Sequence, residues 1–236
     1  MTLPGPLIFS VYAAIHGGIA LAALLLIPAA PLVAVCLFAV EAVTAYDNLI
    51  IVLGKRLGMG ATALRLNRGR FFLHAVCIGL LVPVYTGLGG MAGVAALATP
   101  TAMYAAFAAA AAIALFGYFV QYRAVAHIFP INCYGCLRYA QSVDETRRYP
   151  GYQYSEAELA QKAFPPFASI ITVLVGLGLS LWAGLAANFW PPFAVTLLMF
   201  TASAFPAKTW GPLLTSCLEI VFSGGLLYSL WALSGN

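Results

Sequence analysis

Charged residues are scarce in this sequence. Only 8% of its 236 residues are Asp, Glu, Lys or Arg, whereas 63% are hydrophobic. Soluble domains carry about 25% charged residues, so this composition excludes that class and predicts an integral membrane protein. The few basic residues flank apolar runs, where they act as topology signals, and no nucleic-acid partner is expected.

Several familiar membrane chemistries lack their residues here. The last apolar run has no lysine for a retinal Schiff base, and three histidines are too few for a di-iron desaturase. The sequence also lacks an HxxxH or HExxH pair, a phosphate-binding loop and an aspartate-rich prenyl-diphosphate motif. We therefore predict no cofactor.

The hydropathy pattern predicts an all-α polytopic transmembrane bundle that forms a single domain over residues 1–236. A span needs about 20 apolar residues of helix. Predicted helix 6 is short and lies between prolines, so six spans is the alternative if that helix is re-entrant. The seven predicted helices are Leu7–Ile27, Leu32–Leu53, Phe71–Leu88, Thr101–Tyr122, Pro165–Leu185, Phe193–Phe205 and Gly211–Leu233.

The basic residues predict the orientation of the bundle. All 11 Lys and Arg residues lie in Gly54–Arg70, in Arg123–Lys162 or at Lys208. Seven spans place these three segments on one side, which the positive-inside rule makes cytoplasmic. We therefore expect a bacterial inner-membrane protein with its N-terminus inside, its C-terminus outside and a cytoplasmic loop at about 123–164.

Two short polar motifs predict helix starts on that cytoplasmic side. Asn67 is a candidate cap in front of predicted helix 3. Ser155 and Glu158 have the spacing of a capping box ahead of a short helix in the loop.

The second apolar run contains two carboxylates, Glu41 and Asp47. A carboxylate at the centre of a membrane helix costs roughly 2.5–3.5 kcal/mol on insertion scales, so such residues usually serve a site or a pathway. Polar residues three and four apart share one helix face. Such stripes occur on predicted helices 2, 3 and 7, and we expect them to line one cavity open to the cytoplasm. Their members are Glu41, Thr44, Asp47 and Asn48; Arg70, His74, Cys77 and Tyr85; Thr215, Ser216, Glu219 and Ser223.

Structural roles for these groups stay open as alternatives. Glu41 is also compatible with a protonated side chain that is hydrogen-bonded across helices. Asp47 is placed to form an ion pair with Arg70 or Lys55. His74 and His16 are each compatible with hydrogen bonding between helices.

The cysteines raise the question of a metal site. Cys133 and Cys136 form a CxxC motif, and with His127 they offer three of the four ligands of a zinc site. One CxxC without a second pair favours no metal, and a cytoplasmic location would keep the thiols reduced. Cys36, Cys77 and Cys217 are expected to be packing residues.

Carboxylic acids in an apolar cavity point to proton transfer. A carboxyl group in a low-dielectric site is held protonated and can act as a general acid toward an olefin, an epoxide or a carbonyl. We assign Glu41 as the buried acid, Asp47 as its partner or base, Glu219 as a second acid or orienting group, and His74 as a proton relay. The substrate-binding candidates are Thr44, Asn48, Tyr85, Ser216 and Ser223.

The length, the number of spans and the intramembrane acids Glu41 and Glu219 together resemble the small seven-helix membrane terpene cyclases. Those enzymes use such acids to protonate an isoprenoid chain. The resemblance implies an enzyme that acts on an apolar lipid or isoprenoid, with membrane lipid as its surroundings.

Two other function classes fit the same residues. A proton-coupled carrier or proton-conducting subunit would also place acids on facing helices behind a basic mouth. A scaffold or pigment-binding subunit of a larger membrane complex would use His16 or His74 as an axial ligand. For every function class, a homo-oligomer or a larger membrane complex stays open as the assembly.

Overall fold

The computed structural model describes residues 5–122, 127–204 and 207–235, with only the backbone described at residues 121, 203, 204 and 207–214. The fold is an all-α polytopic bundle that carries one small antiparallel sheet. The helices are α1 Gly5–Leu25, α2 Pro31–Leu57, α3 Ala61–Cys77, α4 Leu81–Met91, α5 Pro100–Phe116, α6 Glu156–Ala160, α7 Phe167–Ala187, α8 Pro191–Ala204 and α9 Ala207–Leu233, and the strands are β1 Phe129–Cys133 and β2 Cys136–Ala140.

Six helical segments of the described chain are long and apolar enough to span a membrane, by length and composition. They are Gly5–Leu25, Pro31–Leu57, Ala61–Met91, Pro100–Val120, Phe167–Ala187 and Thr215–Leu233. The chain is therefore an integral membrane protein, as the composition predicted. Helix α8 is apolar but has 14 residues, which span about 21 Å of a hydrocarbon core that is about 30 Å thick.

Helices α1 and α2 form an antiparallel pair through the short turn that Pro28 and Pro31 predicted. Pro31 opens α2, where its missing N–H and fixed φ are tolerated. In the turn, the Ala30 amide donates to the Leu26 carbonyl at 3.0 Å. The main hydrophobic core begins at this end, where Leu37 of α2 packs with Tyr85 of α4 and Leu226 of α9.

The prediction for helix 3 was wrong at its start. Gly54–Arg70 was expected to be a connection capped by Asn67, but α3 already begins at Ala61. Asn67 is buried inside the helix, where its amide nitrogen donates to the Ala63 carbonyl at 2.9 Å. No proline interrupts residues 61–77, and the charge of buried Arg70 is balanced by Asp47, so the helix can begin ahead of the apolar run.

A 3-10 turn at Ile78–Leu80 separates α3 from α4. Pro83 follows this turn and cannot donate a backbone hydrogen bond to Gly79, and its ring would clash with that carbonyl in a regular helix. The two helices still form one long apolar segment across the break.

The predicted cytoplasmic loop contains a β-hairpin that the sequence reading did not identify. Strands β1 and β2 pair so that Cys133 lies opposite Cys136. The turn residues Tyr134 and Gly135 both have positive φ, 51° and 80°, which is the backbone of the two-residue turns that match strand twist. The hairpin packs against the bundle. At this contact the Gly5 amide of α1 donates to the Tyr134 carbonyl at 3.1 Å.

The other helix ends lie within a few residues of the predicted ones or lie beyond the described chain. The capping box is confirmed: the Ser155 hydroxyl accepts from the Glu158 amide, and the Glu158 carboxylate accepts from the Ser155 amide. Predicted helix 7 begins earlier than Gly211, since α9 starts at Ala207. Phe205, the predicted end of helix 6, and Arg123 lie outside the described residues.

Gly54 allows the hairpin to contact α2 directly, which gives a testable prediction. A Cβ atom at Gly54 would overlap the backbone carbonyl of Leu137. We expect Gly54→Ala to lower stability by about 1–3 kcal/mol through overpacking, although alanine is the better helix former. Thermal unfolding in detergent measures the change.

Gly18→Ala is the matched control, because no atom of another described element lies within 4 Å of a Cβ placed at Gly18 in α1. This variant should be neutral or more stable by about 0.5–1 kcal/mol. Equal melting temperatures for the two variants would mean that the hairpin does not pack tightly against Gly54.

Candidate functional site

A buried acid–imidazole pair joins α1 and α2 in the middle of the bundle. His16 Nδ1 lies 2.7 Å from Glu41 Oε2, and the two side chains are 0% and 1% exposed. The other ring nitrogen, His16 Nε2, is buried and has no hydrogen-bond partner among the described residues. His16 is therefore bonded through Nδ1, whereas its Nε2 atom is left to bind or release a proton.

An ion pair between Asp47 and Arg70 lies closer to the basic end. Arg70 Nε is 2.6 Å from Asp47 Oδ1, and Arg70 is 2% exposed. The same guanidinium donates through Nη1 to Asn67 Oδ1 at 3.2 Å and through Nη2 to the Tyr139 carbonyl at 3.3 Å. Of the two partners considered for Asp47, the structure selects Arg70. Asp47 is six residues beyond Glu41 on α2, which is about 9 Å along the helix axis.

His74 and Thr44 meet at a cavity between α2 and α3. The cavity has a volume of about 10 Å³ and is also lined by Val40, Cys77 and Ile78, so it holds about one water. His74 Nε2 is 3.2 Å from the Ser169 hydroxyl, and the Thr44 hydroxyl donates to the Val40 carbonyl. Among the ionisable groups expected to line a cavity between α2, α3 and α9, Asp47 bonds to Arg70 and Glu41 bonds to His16.

Asn48 turns back to its own helix. Its amide nitrogen donates to the Thr44 carbonyl at 3.0 Å, and its side chain is buried. This contact bonds Asn48, a member of the polar stripe, to its own helix.

Glu219 on α9 completes the group of acids. Its half-buried side chain interacts electrostatically with Asp47, His16, Arg138 and Glu41. Ser216 is half-buried and Ser223 is buried, one turn on either side of Glu219. Helices α2 and α9 therefore approach each other at this level.

Arg138 of the hairpin faces the same group. Its Nε atom is buried, and within the described chain it has no hydrogen-bond partner. The Arg138 charge interacts with Arg70, His74 and Glu219. The hairpin thus adds a cation to the basic end of the site.

Tyr85 lies apart from these groups. Its hydroxyl is 2.7 Å from the Thr196 hydroxyl of α8, and its ring packs against Gly176 of α7. Tyr85 follows Arg70 by 15 residues, about 22 Å along the helical segment. The structure therefore places Tyr85 in the core contact between α4, α7 and α8, outside the cluster of acids.

A wider groove lies at the opposite end of the bundle. Its volume is about 520 Å³, and Leu32, Met103 and Tyr104 are among its mainly apolar lining residues. None of the lining residues is ionisable in the acid–base range, apart from the tyrosine. The groove is therefore distinct from the site that contains the acids.

The cysteines and His127 do not come together. Cys133 and Cys136 are buried against Phe9, Tyr12 and Ile51, whereas His127 is exposed. Burial raises the pKa of the Cys136 thiol to about 11, which disfavours the thiolate that a metal needs. The described part of the chain contains no group of three His, Cys, Asp or Glu residues suited to a metal ion.

Comparisons of the chain with protein-family models, with curated proteins and with solved structures found no match. Function is therefore inferred from the residues of the site.

The sequence analysis considered His16 for hydrogen bonding between helices or as a pigment ligand, but it did not pair His16 with Glu41. A depth argument could have found this pairing, because α1 and α2 are joined by a short turn. His16 lies nine residues before the end of α1 at Leu25, and Glu41 lies ten residues after the start of α2 at Pro31. Both are therefore roughly 14–15 Å from the turn.

The Asp47–Arg70 pair gives a second prediction. Asp47→Asn keeps the shape of the side chain but leaves the buried Arg70 charge uncompensated, which should cost about 3 kcal/mol. Thermal unfolding in detergent should show a large decrease in the melting temperature.

Asp144→Asn provides the matched comparison. Asp144 and Arg147 lie 3.6 Å apart, and their side chains are 34% and 30% exposed. Such solvent-accessible pairs contribute less than about 1 kcal/mol. If the two Asn variants melt at the same temperature, Arg70 does not depend on the Asp47 charge.

Proposed function

We propose that the chain is a membrane-embedded enzyme that transfers protons to and from an apolar lipid or isoprenoid, with Glu41 and His16 as its acid–base pair. The observation that carries this proposal is the fully buried 2.7 Å contact between the two side chains, with His16 Nε2 uncommitted. Buried ionisable groups within a membrane are costly and usually functional.

The chemistry of the pair suits proton transfer in an apolar medium. A carboxyl and an imidazole that share one proton form either two neutral groups or one ion pair, so the net charge of the pair stays zero. The proton is given to one carbon of a substrate double bond, and a proton is then taken back from a neighbouring carbon. The product is an isomer or a ring of unchanged composition, and no oxidant or cofactor is needed.

The neighbouring groups have separate roles in this proposal. Arg70 holds Asp47 as an ion pair, so we assign Asp47 to fixing the charge balance of the basic end. Glu219 interacts with both Glu41 and Asp47 and is assigned as the group that exchanges protons with the pair. His74, which lines the water-sized cavity with Thr44, would relay protons to Glu219.

The seam between α1 and α9 offers a substrate route from the lipid. Tyr12, one turn before His16, has its hydroxyl 2.8 Å from the Cys217 sulfur of α9, and Cys217 is exposed. Separation of the helices along this seam would open the buried pair to an apolar chain. A flexible polyprenyl or acyl chain needs less separation than a rigid pigment macrocycle, which favours the enzyme over the pigment-binding alternative.

Glu41→Gln tests the acid. The variant keeps the shape of the side chain but removes the transferable proton, so turnover should fall by about 100-fold or more. Purified protein is placed in liposomes made from the total lipid of its host in D2O. The measurement is protein-dependent uptake of deuterium into an extracted lipid, read by mass spectrometry.

Glu156→Gln is the control, because Glu156 is exposed and lies outside the bundle; it should leave deuterium uptake unchanged. Equal uptake by wild type and Glu41→Gln would contradict the acid role. A wild type that labels no lipid, but moves protons across the liposome membrane in a Glu41-dependent way, would establish the carrier alternative instead.

We also propose that the chain lies in a bacterial inner membrane, with the N-terminus in the cytoplasm and the C-terminus outside. The grouping of the basic residues supports this orientation. It requires the short helix α8 to cross the membrane, since α8 decides whether the number of spans is odd.

A reporter that is active only in the cytoplasm tests the orientation. We expect activity when it is inserted within residues 144–153 and silence when it follows Asn236. A fusion within residues 92–99, the connection between α4 and α5, should be silent as the internal control. Activity at the C-terminus would mean that α8 does not cross.

A further inference from the structure

Four exposed basic residues lie at the adjoining ends of α2 and α3. Lys55, Arg56, Arg65 and Arg68 are all exposed, and we call them the basic face. No acidic residue occurs between Asn48 and Val143. Within the described ranges, Lys55, Arg56 and Arg65 form no hydrogen bond or ion pair. The basic face therefore concentrates four positive charges in a segment of the sequence that contains no acidic residue.

The helix pattern directs this charge outward. On α3 the residues Ala63, Asn67 and Arg70 are buried at helical spacing, while Arg65 and Arg68 lie on the opposite side. Only the turn around Gly58 separates α3 from the end of α2, so Lys55 and Arg56 lie close to the start of α3. The buried Arg70 faces Asp47, and the exposed arginines face away from the bundle.

Helix length places the basic face at the level of lipid headgroups. Helix α2 has 27 residues and the α3–α4 segment has 31, which correspond to about 40 Å and about 46 Å of helix. The hydrocarbon core of a bilayer is about 30 Å thick. The surplus lies at the basic end, because the other ends of these segments, at Pro31 and Met91, are apolar.

We propose that the basic face is a binding surface for anionic phospholipids of the adjoining leaflet. Guanidinium groups bind phosphate oxygens through paired hydrogen bonds, and each Lys or Arg near an anionic membrane surface contributes to attraction. The proposal is independent of the proton-transfer activity, because none of the four residues belongs to the buried cluster.

Lipid retention measured by native mass spectrometry tests the proposal. The purified protein in detergent is mixed with equal amounts of phosphatidylglycerol and phosphatidylcholine that carry identical acyl chains. Wild type should retain phosphatidylglycerol preferentially. Each of Lys55→Gln, Arg56→Gln, Arg65→Gln and Arg68→Gln should weaken that preference by about 5-fold, the equivalent of about 1 kcal/mol per basic residue.

Arg148→Gln and Lys162→Gln are the matched controls. Both residues are exposed, but they lie in the loop that also contains Asp144, Glu145, Glu156 and Glu158. The controls should retain phosphatidylglycerol as wild type does. Equal losses in the controls and in the basic-face variants would overturn the proposal, because the effect would then follow net charge alone.

A salt titration of wild type keeps the proposal testable if a variant does not insert. Raising NaCl from about 50 mM to about 500 mM should reduce the preference for phosphatidylglycerol, since exposed charges are screened. No preference in wild type, or a preference that salt leaves unchanged, would overturn the proposal. Loss of deuterium uptake in Glu41→Gln, with lipid retention intact, would confirm that the two sites are separate.

Discussion

The side chain of Arg70 connects three parts of the fold. It pairs with Asp47 of α2, donates to Asn67 on its own helix and donates to the backbone of Tyr139 in the hairpin. A buried guanidinium is stable only when its charge and its N–H groups are satisfied together, so the three partners must be held in place at once. The positions of α2, α3 and β2 at the basic end are therefore interdependent, and the start of α3 depends on a contact made by a loop 69 residues away.

The sequence predicted the apolar helices well because each depends on local composition. The turn before Pro31 and the capping box at Ser155 were also predictable, since both depend on neighbours within four residues. The start of α3 was not, because Asn67 and Arg70 look like residues of a solvated connection until their partners on α2 and the hairpin are known. The hairpin had a signal, a two-residue turn ending in Gly135, but polar neighbours obscured the alternation of its strands.

The candidate site likewise has a part that the sequence predicted and a part that it did not. The stripes of Glu41 and Glu219 were visible from helical periodicity, and the structure places the two acids within electrostatic range of each other. The sequence did not reveal which of these side chains would pair with each other, because the pairing depends on the rotation of each helix about its axis. His16 and Tyr85 illustrate the point: the first bonds Glu41 from a helix without another acid or base, and the second turns toward Thr196.

The Glu41–His16 pair and the Asp47–Arg70 pair have different protonation chemistry, and this difference separates their roles. An arginine stays charged under all ordinary conditions, so Asp47 must stay ionised to balance it, and that pair cannot give up a proton without leaving a buried charge. The Glu41–His16 pair can be neutral or ionic with the same single proton, and either state has no net charge. Of these two pairs, the pair that includes an imidazole can therefore exchange a proton with an apolar molecule and return to its starting state. Because of this difference in protonation, our proposal assigns Glu41 and His16 as the reacting groups and Asp47 and Arg70 as a permanent ion pair beside them.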